Sequence, residues 1–438
     1  MRKKVLVRGP ALSRSGYGEQ TRFALRSLQR FEDRFDIYLI NTTWGATSWM
    51  AADTPERRWF DFLLKKTIVA SQNGPFEFDI SIQVTIPNEW EELAPINIGF
   101  TAGIEANRIT PVWVEKANLM DHIIVVSHHA KAGFVETSYE AQNRQTGEHI
   151  PDFRCTTPVT VANFPAREFK GVDLDLDITT SFNFLTVAQN GPRKNMGNTI
   201  NWFVEEFKDE PDVGLVLKIF NADNSTIDFY RTKDMIDRTT RAYPDMKCSI
   251  YLCHGEMTDE ELHGLYTHPA IKGLVSIAHG EGFGLPLFEA VCSGLPVIAP
   301  EWGGPLDFLY APVKKKGSKR LRMRPHFLRV DYDLHQVQPE AHWEGVIQPE
   351  SAWTFSKEAS YRSALRGLLK NHKMHVSRAK KLQKHILEKI SFDNQSEIFA
   401  NAVLETAGDS VEPPQDTSKL APPPPSAETP EKSVITFT

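Results

Sequence analysis

The sequence predicts two doubly wound α/β domains in tandem, and three observations point there. Short apolar runs alternate with stretches of helical periodicity, the pattern of parallel α/β layers. The alternation lapses after about residue 165 and restarts at about 182. The chain is 438 residues long and 41% hydrophobic, too long for one ordinary core.

Val5-Leu6-Val7 reads as a first buried strand, followed by a polar loop holding Gly9, Pro10, Ser13, Ser15, Gly16 and Gly18. Thr21, Ala24, Leu25 and Leu28 then recur at helical spacing. Ile37–Ile40, Ile80–Val84, Ile96–Phe100 and Ile123–Val126 read as further strands. Ser127 is the expected N-cap of a helix carrying Phe134. The segment 166–181 is polar and acidic and reads as a linker. The second series begins with Phe184–Ala188, a loop containing Arg193-Lys194, and a helix with Ile200, Phe203, Val204 and Phe207 on one face. Leu215–Ile219, Ile250–Leu252, Leu274–Ile277 and Val297–Ala299 supply its remaining strands, and Thr258 with Glu261 forms a capping box. From about Gly408 the Pro-rich composition cannot bury a core, and a disordered tail is expected over 408–438.

Bulk properties exclude several classes. The net charge of -6 marks neither a nucleic-acid nor a membrane protein. No apolar run approaches the roughly 20 residues of a membrane span. Met1-Arg2-Lys3-Lys4 precedes only three apolar residues, too few for a secretory signal. A cytoplasmic protein is expected. Cys155, Cys248, Cys253 and Cys292 have no zinc-ligand spacing and read as buried free thiols. Asp173, Asp175 and Asp177 lie in the linker, with no strand end to present them to a cation, and read as a charge run.

The sharpest signal is Glu281-Gly282-Phe283-Gly284-Leu285-Pro286-Leu287-Phe288-Glu289-Ala290, followed by Gly294-Leu295-Pro296 and Gly303-Gly304. Glycines let backbone approach a ligand closely, and Pro286 suits the first turn of a helix. Free N–H groups there face the crevice beyond the strand ends. Two carboxylates eight residues apart can address that crevice at different depths and accept from vicinal hydroxyls.

This string closely resembles the E-x7-E signature of retaining GT-B glycosyltransferases, in particular glycosyltransferase family 4 (group 1). The resemblance is strong over residues 183–310 and weaker over 1–165. It implies two Rossmann-like domains facing a central cleft: 1–165 for the acceptor, 182–390 for the donor, and a helix at 391–407 crossing back to the first domain. It implies a nucleotide-sugar donor, retention at the anomeric carbon, and no metal or other cofactor. By the same resemblance Glu281 stands by the transferred sugar and Glu289 holds the ribose hydroxyls. The backbone of Phe283, Gly284 and Leu285, after Gly282, lies against sugar and diphosphate.

Arg193 and Lys194 form a cation pair suited to a diphosphate. The family keeps a Lys at the position of Lys194 and usually an Arg five residues earlier, where this chain has Gln189. Arg193 is the expected replacement, with Lys218 at the end of the next strand as the alternative second cation. Gly16 and Gly18 match a family loop that approaches the donor phosphates. The family often has a His after the strand ending at Phe100, where Glu105 is the nearest candidate to orient or deprotonate an acceptor hydroxyl.

Residues 314–329 hold eight cations in sixteen positions, either a solvated insertion or a contact for an anionic acceptor. This segment, with Trp302–Tyr310, is similar to glycosyltransferases of large tailed phages, which leaves glycosylation of modified bases in phage DNA as an alternative. A non-catalytic nucleotide-sugar-binding protein is the other. A hydrolase using Glu281 and Glu289 is disfavoured because Arg193 and Lys194 would have no role. The acceptor, whether glycan, lipid, protein or nucleic acid, stays open.

Overall fold

The computed structural model describes residues 2–72, 76–142, 147, 149–168, 171–314, 321–408 and 435–437. Strands β1 (Lys3–Gly9), β2 (Phe35–Asn41), β3 (Ile80–Val84), β4 (Ile96–Thr101) and β5 (His122–Val125) form around the five apolar runs read from the sequence. A hairpin of β6 (Ser138–Gln142) and β7 (His149–Arg154) follows, then β8 (Val159–Val161). Helices α1 (Gly16–Gln29), α2 (Pro55–Gln72), α3 (Pro111–Ala117) and α4 (His128–Glu136) connect these strands. The first sheet is parallel, in the order β2-β1-β3-β4-β5-β8.

The second half repeats the plan. Its strands are β9 (Phe182–Gln189), β10 (Val213–Phe220), β11 (Ser249–Leu252), β12 (Ile271–Val275) and β13 (Val297–Pro300). Two ribbons then flank a short strand: β14 (Tyr310–Lys314) with β15 (Leu321–Pro325), β16 (Leu328–Val330), and β17 (Tyr332–Gln336) with β18 (Ala352–Ser356). The helices are α5 (Met196–Phe207), α6 (Thr226–Thr240), α7 (Asp259–Thr267), α8 (Leu285–Cys292), α9 (Glu358–Lys370), α10 (His372–Lys389) and α11 (Phe392–Thr406). The sheet runs β16-β13-β12-β9-β10-β11, all parallel, with β19 (Ile435–Phe437) antiparallel at the β11 edge.

Local chemistry explains the element starts. Ser127 caps α4 by accepting from Ala130 N, and Thr258 and Glu261 cap α7 reciprocally. The apolar face of α5 buries Ile200, Phe203, Val204 and Phe207 on its sheet. All four cysteines are buried free thiols.

Two expectations need correction, and two segments gain detail. Gly16 and Gly18 are not loop residues but lie in the first turn of α1, where the Ser15 hydroxyl accepts from Gly18 N. The strand expected at Leu274–Ile277 is Ile271–Val275, because the chain leaves the sheet early to form the cleft loop. In the linker, Leu174, Leu176 and Ile178 pack on the core while the Asp residues between them face solvent. Thr179 and Thr180 bond the Tyr251 hydroxyl, so the segment is held as an extended strap. The expected disordered tail falls mostly outside the described residues, but its stretch Ile435–Phe437 is a strand on β11.

The two halves also join through α11. Phe399 meets Phe23 of α1 edge-on at 5.7 Å, and Ser27 Oγ bonds Ser396 Oγ at 3.2 Å. The Gln395 side chain accepts from Asn163 N. Ala166 N donates to Ile390 O, which anchors the start of the strap.

Candidate active site

In each sheet the first strand has later strands on both sides. The order therefore reverses between β1 and β3 and again between β9 and β12. Loops leaving the carboxyl ends of such neighbours diverge and open a crevice. Arg193, Lys194 and Glu281 lie at the second of these points, and Glu105 reaches them from the loop after β4.

The loop after β9 is a single tight turn, Pro192–Lys194, ended by Asn195 in the left-handed region (φ 52°, ψ 38°). Asn is among the few non-glycine residues that accept this conformation. Its amide reaches Ile277 O at 3.3 Å, and His279 N donates to Arg193 O at 2.8 Å. The turn is thereby tied to the segment after β12, and its two cations converge on the carboxylate there. Lys194 Nζ is 2.5 Å from Glu281 Oε1, and Arg193 Nη1 is 3.0 Å from Glu281 Oε2. Arg193 also donates to Gly280 O at 2.7 Å, and its other arm reaches Glu105 Oε1 in the first domain at 3.2 Å.

These charges share one partly buried seam. Burial alone raises the Glu281 pKa, but Lys194 and Arg193 outweigh it and hold the carboxyl below its usual range. Burial and the adjoining Arg193 lower the Lys194 pKa despite Glu281. Burial works against the Arg193 charge, yet Glu105 and Glu281 raise its pKa.

Glycine makes the seam this narrow. A Cβ at Gly280 would stand 2.0 Å from Glu105 O, so backbone touches backbone across the cleft. Gly282 O accepts from Ser127 Oγ at 2.5 Å, a second cross-domain bond. Gly284, at φ +90°, turns the chain into α8, a conformation that disfavours a side chain. The Phe283 ring is buried against Phe164, Phe288 and Phe308, which leaves its backbone for the cleft. Leu285 faces Gly16 across the cleft, 3.8 Å from where a Cβ on that glycine would stand. A Cβ on Gly18 would collide with Ser13 O at 2.0 Å, so Gly18 is required by packing.

Glu289 lies on α8, apart from the Arg193–Lys194 cluster. The Tyr266 hydroxyl donates to Glu289 Oε2 at 2.8 Å. Burial lifts the Glu289 pKa to about 7, against the pull of Tyr266 and Arg167. Lys218, near the end of β10, is buried, and its ammonium donates to Gly255 O at 2.5 Å beyond β11. It stands at the next crevice mouth along the sheet, where β10 and β11 end.

Sequence reasoning missed several participants. His279 packs flat on Trp353 at 5.2 Å, with its Nδ1 2.6 Å from Thr354 O. The β17–β18 ribbon thus braces the segment leading to Glu281, and Ala352 N extends the brace by donating to Asn107 of the first domain at 2.8 Å. Asp307 accepts from His128 N at 3.0 Å and Asn163 Nδ2 at 2.9 Å, a carboxylate at the N-terminus of α4. His129 is half-buried beside Trp302, and its buried Nε2 has no hydrogen-bond partner among the described residues. Tyr266 lies in a helix that the sequence marked, but only its distance to Glu289 reveals a role. No sequence pattern foreshadowed the ribbon.

Neither a family model nor a curated protein matches the sequence. Solved structures do match. Sucrose-phosphate synthase from Thermosynechococcus elongatus aligns with TM-score 0.57 and 12% identity, covering 92% of this chain and 99% of that one. HepE from Anabaena, in complex with UDP and glucose, aligns with TM-score 0.54 and 12% identity over the same shares. Against S. aureus TarM the TM-score is 0.46 at 15% identity, covering 74% of this chain, which spans only 55% of TarM's length. At these identities the first two matches establish architecture. The chain has the GT-B glycosyltransferase fold, two Rossmann-like domains facing a cleft.

Proposed function

We propose that the chain is a retaining, metal-independent glycosyltransferase of the family 4 type, using a nucleotide-sugar donor. The observation that carries this reading is the convergence of Arg193, Lys194 and Glu281 beside β9 and β12, with Glu105 reaching in from the other domain. Residues 182–390 bind the donor and 1–165 receive the acceptor.

The chemistry follows from charge. The bond from the anomeric carbon to the diphosphate breaks, and negative charge grows on the departing phosphate oxygen. Once the diphosphate has replaced their carboxylate partners, Arg193 and Lys194 stabilise that charge. Without ligand, Glu281 and Glu105 neutralise these cations. The diphosphate displaces them and frees Glu281 for the sugar hydroxyls. The acceptor oxygen bonds to the anomeric carbon on the face the diphosphate leaves, and its proton passes to the departing phosphate or to Glu105. Glu289 takes the ribose hydroxyls.

The HepE structure holds UDP and glucose, so UDP-glucose heads the donor panel for a thermal-shift screen. A ligand at 100 times its dissociation constant stabilises by about 2.7 kcal/mol. The stabilising donor is then given a hydroxyl acceptor, and NMR reads the anomeric configuration of the product. No stabilisation by any nucleotide sinks the donor assignment, and an inverted product sinks retention.

A further inference from the structure

The second domain carries a large positive surface away from the cleft, in a chain whose net charge is -6. Between Glu358 and Glu388 there is no carboxylate residue and there are eight cations. On α9, Arg362 and Arg366 are matched by Glu206 and its neighbours. On α10 the cations are not matched. Lys373, Lys380, Lys381 and Lys384 are exposed along one side of the helix, at the i, i+7, i+8 and i+11 spacing of a single face. Among the described residues none of the four pairs with a carboxylate.

The β14–β15 ribbon adjoins this face. Arg378 of α10 donates to Pro325 O at the ribbon's base at 2.7 Å, and α10 packs on β14. The ribbon register places Arg322 opposite Val313 and Arg324 opposite Ala311 on one face. Met323 opposite Pro312 and Leu321 opposite Lys314 make up the other face. Leu321 is 59% exposed, Met323 51% and, on the adjoining helix, Met374 50%. Large exposed apolar side chains thus alternate with arginines along β15, beside the lysine face of α10.

We propose that the β14–β15 ribbon and the outer face of α10 form a docking surface for an anionic lipid bilayer. Acidic headgroups neutralise the lysines of α10, and the interfacial region buries the Leu321–Met323 face of the ribbon. A nucleic acid would meet the same cations but leave both apolar side chains in water, which is why the bilayer is the better match. Among the described residues no helix is long and apolar enough to cross a membrane, so the contact is peripheral. Docking leaves the cleft free. Gln383 of α10 bonds Cys292 O at the C-terminal end of α8, while Glu281 precedes the other end. The inference does not depend on the proposed transfer reaction.

The test is co-sedimentation of the full chain with vesicles of phosphatidylcholine alone or with one third phosphatidylglycerol. Binding is expected only to the anionic vesicles and falls as salt rises. The triple change Lys380→Glu, Lys381→Glu, Lys384→Glu weakens it by roughly a hundredfold, since each basic residue near such a surface contributes several-fold. Leu321→Ser with Met323→Ser weakens it by roughly tenfold, through lost apolar burial. Each variant must melt at the native temperature. Should the triple change fail to fold, Lys381→Glu alone is read, with an expected loss of severalfold. Equal binding to neutral vesicles, no binding to either, or indifference to both variants overturns the proposal. So does binding of duplex DNA, with no vesicle binding, that survives the Leu321–Met323 change and is lost on lysine reversal.

Discussion

Lys194 Nζ stands 2.5 Å from Glu281 Oε1, and the carboxylate's other oxygen is held at 3.0 Å by Arg193. One carboxylate therefore organises two cations contributed by a different loop. Lys194→Ala should lower turnover by roughly 10²–10³, the usual cost of losing one preorganised charge contact. Arg193→Ala should lower it less, because Lys194 still faces the leaving group. Gln189→Arg should partly restore activity in the Arg193→Ala background and do little alone, which a double-mutant cycle of turnover rates would show as non-additivity. Full activity in Arg193→Ala would remove Arg193 from the site and leave Lys218 as the next cation to test.

Glu289 titrates where it can be followed. Its folded pKa of about 7 lies above the ordinary carboxyl value of 4.5, so the folded state holds the proton longer than the unfolded one. The associated stability is full below pH 4.5 and is lost as pH rises through about 7. Glu289→Gln should abolish that part of the pH dependence of the melting temperature. Nucleotide affinity should move oppositely, rising through the same window as the carboxylate becomes ionised and accepts from ribose. Tyr266 pulls this pKa down, so Tyr266→Phe should shift the affinity midpoint to higher pH. A pH-independent affinity in the native protein would exclude the ribose contact.

Gly280→Ala should injure the seam more than its size suggests. The new methyl would meet Glu105 O at 2.0 Å, which is backbone and cannot rotate away. Overpacking of this kind costs about 1–3 kcal/mol. Both melting temperature and turnover should fall, since Arg193 spans the same gap. Unchanged turnover would show that the catalytic conformation is more open here.

Truncations should separate the end of the chain from the helix before it. Among the described residues, removing the chain after Gly408 takes away three paired residues at a sheet edge, and melting should fall by no more than a few degrees. Removing the residues after Ile390 takes away α11 and uncovers Phe23 and Phe100, against which Phe399 packs. That protein should not fold. Phe399→Ala alone should cost about 3–5 kcal/mol. Calorimetry of the three proteins checks the ordering.

Much of the fold was legible from the chain. The runs Phe184–Ala188 and Leu215–Ile219 are largely buried on both faces, and a strand of that kind must be a nearly continuous apolar segment. Caps such as Ser127 and Thr258 act within a few residues and were therefore readable too. Glycines at 280, 282 and 284 mark a loop that other backbone approaches, and their clustering beside Glu281 made the site visible.

What only the tertiary structure decided has the opposite range. The pairing of Arg193 with Glu105 spans 88 residues, and that of Tyr266 with Glu289 depends on how α7 and α8 lie together. The stacking of His279 on Trp353 comes from a ribbon with no periodic signal. Gly18 looked like a ligand loop, but a collision with Ser13 O explains it as packing. The sequence by itself determined the strands, the caps and the chemistry of the cleft loop, because periodicity, capping and glycine tolerance are local properties. Tertiary structure decided which charges neutralise one another and which carboxyl keeps its proton, because Coulomb and desolvation energies depend on distance and burial in space.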